Sequence, residues 1–131
     1  MNKIVVVIFA VLLSACAQMK PNSDLSDLRS ASNQLLGIKS LLVYVSSDSK
    51  PSELSHQLAN LMAKGETEEV SVSVGGPYPK KTAVVIEGAY ELLKGRNLSR
   101  LKFLYIGSYE ENEPVRKQLT HLGATYHLLA L

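Results

Sequence analysis

Hydrophobic and polar positions follow several rhythms along this chain, and each rhythm predicts an element. Residues 4–13 form an uninterrupted apolar run of ten. A membrane-crossing helix needs about 20 such residues, so the run is too short to span and fits the apolar core of a secretory signal. Lys3 supplies the positive start, and Ser14 and Ala15 are the small residues a signal peptidase requires before its cut. Residues 17–23 (AQMKPNS) are polar, contain Pro21 and read as a tether. Ser23 then caps a candidate short helix, with Asp24 and Asp27 in its first turn and Gly37 closing it. Leu25, Leu28, Leu35 and Leu36 would form its apolar stripe; the alternative is that the linker simply continues.

From Lys39 onward the periodicity sharpens. KSLLVYVSS is β-rich and predicts a strand over about residues 40–46. Pro51 opens a helix that runs to Gly65, with Leu54, Leu58, Leu61 and Met62 on one face. In EEVSVSVGG, Val70, Val72 and Val74 point one way and Ser71 and Ser73 the other. GGPYPK is a turn, and a second helix runs from about Lys80 to Lys94 on Ala83, Ile86, Tyr90 and Leu93. Gly95 suits its end, whereas Gly88 within it costs about 1 kcal/mol relative to alanine. RLKFLYIGS is apolar on both faces except at Lys102, as a central strand is. SYEENEP reads as a loop, Pro114 to Leu122 as a short helix and ATYHLLAL as a closing strand.

The order is βαβαβαβ. It predicts an α/β domain over residues 39–131, a two-layer sandwich with helices on one face of a four-stranded sheet. The serines of the Val70–Val74 strand carry that prediction. A strand covered on both faces reads apolar throughout, and this one leaves a serine face for water or a partner. Burial of those serines under a helix would favour a flavodoxin-like carrier instead.

The only cysteine, Cys16, stands directly behind Leu13-Ser14-Ala15. Leu-Ser-Ala-Cys resembles the lipobox of bacterial lipoproteins in all four positions. The resemblance implies cleavage between Ala15 and Cys16, a diacylglycerol thioether on Cys16 and an acylated new N-terminus. Two or three acyl chains anchor stably where one does not. Ala17 in place of an aspartate implies sorting to the outer membrane, with the domain facing the periplasm. Removing residues 1–15 of the 131 leaves 116, and the net charge falls from +2 to +1 with Lys3. The lipidated cysteine would leave no thiol for a disulfide, and so weak a charge gives no case for nucleic acid.

The stretch Val70–Pro114 resembles the OmpA-like domain of peptidoglycan-associated lipoproteins. VSVSVGG stands for its strand and loop entry, Ala83 to Lys94-Gly95 for its helix, and Leu101–Gly107 with Glu110 for its next strand and turn. That family holds diaminopimelate with a loop aspartate and an arginine before the helix alanine. Here GGPYPK contains no acid, Thr82 replaces the arginine, and Lys81 stands one position early, about 100° round the helix. The resemblance therefore implies the fold without the binding pair. VSVSVGGPYP, TAVVIEGAYELLKG and FLYIGSY are also similar to lipoproteins of Tad pilus assembly, of the CpaD type, which implies an accessory that binds other envelope proteins.

An enzyme needs a constellation of reactive groups, and the sequence presents none. His56 lies off the Leu54–Leu58 stripe, His121 near a helix end and His127 in the last strand; no two have i, i+4 spacing. Gly75-Gly76 is followed by Pro77-Tyr78-Pro79, which removes two N–H donors that a phosphate loop would use. Glu110, Glu111 and Glu113 read as a solvated acidic knot or a Ca²⁺ site, and Lys80 and Lys81 as a solvated helix start or a contact for phosphate or a lipid headgroup. Tyr78, between two prolines, is a rigid aromatic suited to protein contact, together with Lys80 and Lys81. The expectation is a non-enzymatic lipoprotein without metal or cofactor, serving a pilus, secretion or conjugation machine through an envelope protein partner. A peptidoglycan-binding module and a small hydrolase or ligand carrier are the alternatives.

Overall fold

A computed structural model describes residues 28–30, 33 and 40–130. Over residues 40–130 four strands alternate with three helices: β1 (Leu41–Tyr44), α1 (Pro51–Ala63), β2 (Val70–Gly75), α2 (Pro79–Leu93), β3 (Leu101–Gly107), α3 (Tyr109–His121) and β4 (Thr125–Ala130). A 3₁₀ turn, Lys64–Glu66, follows α1. The strands form one sheet in the order β1-β2-β3-β4, every pair parallel. Parallel neighbours need a crossover, and each helix supplies one.

All three helices share one face of the sheet, as the sequence predicts. Val43, Val45, Val72, Val74, Phe103 and Tyr105 form a single core with Leu58 and Met62 of α1, Ile86 and Leu93 of α2, and Val115 and Leu119 of α3. Each crossover moves one strand over and returns on the same side, so all three have the same hand. Pro51 and Pro79 begin their helices, where a missing N–H removes no helical bond. Gly95 takes a positive φ of 85° just past α2. The buried line of α2 runs through Thr82, Val85, Ile86, Ala89 and Leu93, while Ala83 and Tyr90 are half-buried. It is turned from the expected stripe because α2 packs against α1 as well as against the sheet.

Two expectations differ from the structure. Residues 109–113 are the first turn of α3 and not a loop, so Pro114 sits inside the helix. There its absent N–H leaves the carbonyl of Glu110, on the exposed first turn, without its usual helical donor. The serine face of β2 is also drier than expected: Ser73 is fully buried, with its Oγ donating to the Leu41 carbonyl at 3.4 Å, and Ser71 is half-buried. On this back face Leu104, Ile106 and Leu129 pack around Leu28, with Leu42 and Tyr44 beside them. Leu28 has no exposed surface, and residues 28–30 and 33 are helical. A flavodoxin-like sheet has its first strand inside and helices on both faces. Here the first strand is an edge and the crossovers stay on one face, so the two-layer arrangement stands.

Candidate functional site

The C-terminal ends of the strands, where α/β proteins commonly build their sites, carry three short connections. Residues 45–50 join β1 to α1, 76–78 join β2 to α2, and Ser108 joins β3 to α3. Ligand crevices in open α/β sheets form where the strand order reverses. The order 1-2-3-4 never reverses, so the strand order creates no such crevice at this rim.

Each rim residue is held by the backbone beneath it. A Cβ on Gly76 would stand 2.0 Å from the Val45 carbonyl oxygen, so the chain there approaches β1 too closely for any side chain. Tyr78 is the extended residue before α2, and its carbonyl accepts from the Thr82 N–H at 3.0 Å and from Thr82 Oγ1 at 3.1 Å. Its ring is half exposed. Lys80 is exposed. Lys81 is committed internally: Nζ donates to the carbonyls of Ser46 and Ser47 at 2.8 and 2.9 Å, pinning the β1–α1 loop to α2. Thr82, at the position matching the OmpA-like arginine, is fully buried, so the fold leaves no room there for a ligand-binding side chain.

Sequence reasoning missed Tyr109. It opens α3 on the same rim as Tyr78 and, at 77% exposure, is the most exposed large hydrophobic side chain among the described residues. The spacing Ser108-x-x-Glu111 was the available signal, since it marks a helix start. Ser108 Oγ does donate to Glu111 Oε1, at 2.8 Å. Tyr105 supports the same rim from inside: its buried hydroxyl donates to the Pro79 carbonyl at 3.2 Å, and burial pushes its pKa up to about 12.

The titratable groups singled out in the sequence are dispersed. His56 Nδ1 lies 2.9 Å from the Ser52 carbonyl on its own helix. His121 Nδ1 is 2.6 Å from the Tyr90 hydroxyl, and Lys94 Nζ lies over that tyrosine ring at 5.6 Å. His127 is exposed on the back face. Glu113 makes a two-pronged pair with Arg116, both N···O distances 2.7 Å, which holds its carboxyl below the usual carboxylate range. Glu66 is lowered likewise by the guanidinium of Arg96, whose Nε donates to Oε2 at 2.9 Å. Among the described residues no group of three His, Cys, Asp or Glu side chains is placed to hold a metal ion. No helix among them is long and apolar enough to cross a membrane. Ala15 and Cys16 lie outside the described residues.

A shallow depression of about 250 Å³ opens at the opposite, N-terminal end of β2 and β3, lined by Glu69, Val70, Ser71, Arg100 and Lys102. The chain matches no family model, no curated protein sequence and no solved structure.

Proposed function

We propose that this protein is an outer-membrane lipoprotein, anchored through Cys16, whose α/β domain is a non-enzymatic accessory to an envelope assembly. The observation that carries the reading is the sequence Leu13-Ser14-Ala15-Cys16 behind a ten-residue apolar run. A thiol placed there receives lipid, and the acyl chains hold the domain at one membrane surface. Partner contact falls to the rim that carries Tyr78 and Tyr109. Aromatic side chains held on stiff backbone supply binding energy with little ordering entropy. Tyr78 stands between two prolines, and Tyr109 on the first residue of a helix.

The seat of Leu28 supports a short leash. Leu28 lies twelve positions after Cys16. Even fully extended, that length of chain spans only about 40 Å. The partner would therefore lie in the same envelope layer as the anchor.

Metabolic labelling with a fatty-acid analogue tests the reading. The wild-type protein is expected to take up label and fractionate with the outer membrane, and Cys16→Ser is expected to do neither. Absence of label from both would overturn the proposal. Crosslinking from a photoreactive residue placed at 78 or 109 is expected to trap an envelope protein that a probe at Glu87, on the exposed side of α2, does not reach.

A further inference from the structure

The depression at the N-terminal end of the sheet is built from charges that make no ion pair among the described residues. Val70 and Leu101 are register partners, so Glu69 and Arg100 stand side by side just ahead of β2 and β3. One step on, Lys102 is flanked on its two sides by Ser71 of β2 and Thr125 of β4, all three on the back face. A cation, two hydroxyls and a further guanidinium thus share one rim with a single carboxylate. Among the described residues none of Glu69, Arg100 and Lys102 makes an ion pair, although Glu66, Glu91 and Glu113 all do. One donor of Arg100 is used to fix it in place: Nη1 donates to the Thr67 carbonyl at 3.0 Å. Among the described residues its other donors make no hydrogen bond.

The mixture of signs selects the ligand. A simple anion would meet Arg100 and Lys102 but be repelled by Glu69, and a simple cation would meet the reverse. A molecule with an anionic group and an ammonium a few bonds apart satisfies all three. The depression is open to solvent, so its charges and not its volume select the ligand. We propose that this depression binds a small zwitterion, its anionic end on Arg100 and Lys102 beside the Ser71 hydroxyl and its ammonium on Glu69. The chemistry is shared by a free amino acid and by the phosphoethanolamine headgroup of a lipid. The proposal does not depend on the lipid anchor or on the aromatic rim.

The test is a titration of the ¹⁵N-labelled protein followed by amide chemical shifts, with alanine, phosphoethanolamine, inorganic phosphate and ethylammonium as separate probes. Exposed charge pairs are individually weak, so saturation is expected at a Kd on the order of 1–10 mM. At least one zwitterion should shift the amides of residues 69–71 and 100–102 and bind about fivefold more tightly than either ion of one sign, the factor expected from one added exposed pair. Whichever zwitterion binds identifies the source. Lys102→Gln should weaken that zwitterion about fivefold, as loss of one exposed charge pair would. Glu69→Gln should weaken the zwitterion yet strengthen phosphate, a reversal that a generally damaged fold would not give. Arg100→Gln is the less clean variant, since Arg100 also braces Thr67. Phosphate binding as tight as either zwitterion, or no saturable shift at these residues with any probe, would overturn the proposal.

Discussion

Ser55 of α1 lies directly against Gly88 of α2. A Cβ built on Gly88 would stand 2.3 Å from Ser55 Oγ and 2.8 Å from Ser55 Cβ, while that hydroxyl donates to the Val85 carbonyl at 2.9 Å. The glycine that weakens the helix is what allows α1 and α2 to touch. In an ordinary helix Gly→Ala stabilises by about 1 kcal/mol. At this contact overpacking of about 1–3 kcal/mol opposes the gain. Gly88→Ala is expected to lower the thermal midpoint by about 5 °C, the shift of a net loss near 1 kcal/mol in a domain of this size. Ser55→Gly in the same chain should restore part of it, and thermal unfolding followed by circular dichroism reads both.

Leu28 is fully enclosed between Leu104, Ile106 and Leu129, although it precedes the first strand. Leu28→Ala should destabilise the protein by about 2–4 kcal/mol, the usual range for a buried leucine that leaves a cavity. The urea midpoint measures this. An unchanged midpoint would mean that the back face of the sheet is held by something else.

The two lysines that open α2 should behave differently. Lys81→Met removes the link to the Ser46 and Ser47 carbonyls, and amide exchange at Ser46–Ser49 should accelerate several-fold, with a stability loss of about 1 kcal/mol. Lys80 is exposed and unlinked to that loop, so Lys80→Met should change neither measurement. Equal effects from the two would remove the assigned role of Lys81.

Alkaline pH should act on the fold through Tyr105 and Tyr126, whose pKa values are raised. Burial raises the pKa of Tyr105 from 10.0 to about 12, and the pKa of Tyr126 is raised from the same cause. The folded state therefore holds these protons more tightly than the unfolded chain does. The associated stability is fully present below pH 10 and is lost as the pH climbs towards 12; for Tyr105 alone it amounts to at most about 2–3 kcal/mol. Denaturation in urea at stepped pH values should show this decline. Tyr105→Phe should flatten it, even though that variant also loses the hydrogen bond to Pro79.

Acid should act on the surface pairs in the opposite sense. Hydrogen bonding to Arg96 and Arg116 lowers the pKa values of Glu66 and Glu113, so their contribution is complete above the ordinary glutamate range and fades as the pH falls through it. Glu66→Gln should make stability less dependent on pH below about 5, where glutamates begin to take up protons.

Local periodicity made most of the elements legible. Val70, Val72 and Val74 announced β2, and Leu54, Leu58, Leu61 and Met62 announced α1, because each face repeats within one segment. Long-range placement was not legible in this way. Ser73 looked wet because its own strand is polar on that side; its neighbours across the sheet, Leu42 and Leu104, stand on other strands. Pro114 suggested a helix start and masked the stronger signal at Ser108 and Glu111. Among the residues marked out for contact, Tyr78 is half exposed, as a tyrosine between prolines on a rigid turn suggested. Lys81 could not be distinguished from Lys80, since its acceptors belong to a distant loop. The charged depression was invisible for the same reason: only the parallel register brings Ser71 beside Lys102.

The strand order 1-2-3-4 makes neighbours in sequence neighbours in space along the whole body. Among the described strands β1 pairs only with β2 and β4 only with β3, so either outer strand can detach and leave the other three paired. Such a body yields from its margins inward. A mechanical load arriving through the segment that carries Leu28 crosses the back of the sheet onto β3 and β4, through Leu104, Ile106 and Leu129. Leu42 and Tyr44 of β1 stand beside that cluster, so the strain is shared between the β1 margin and the far side of the sheet.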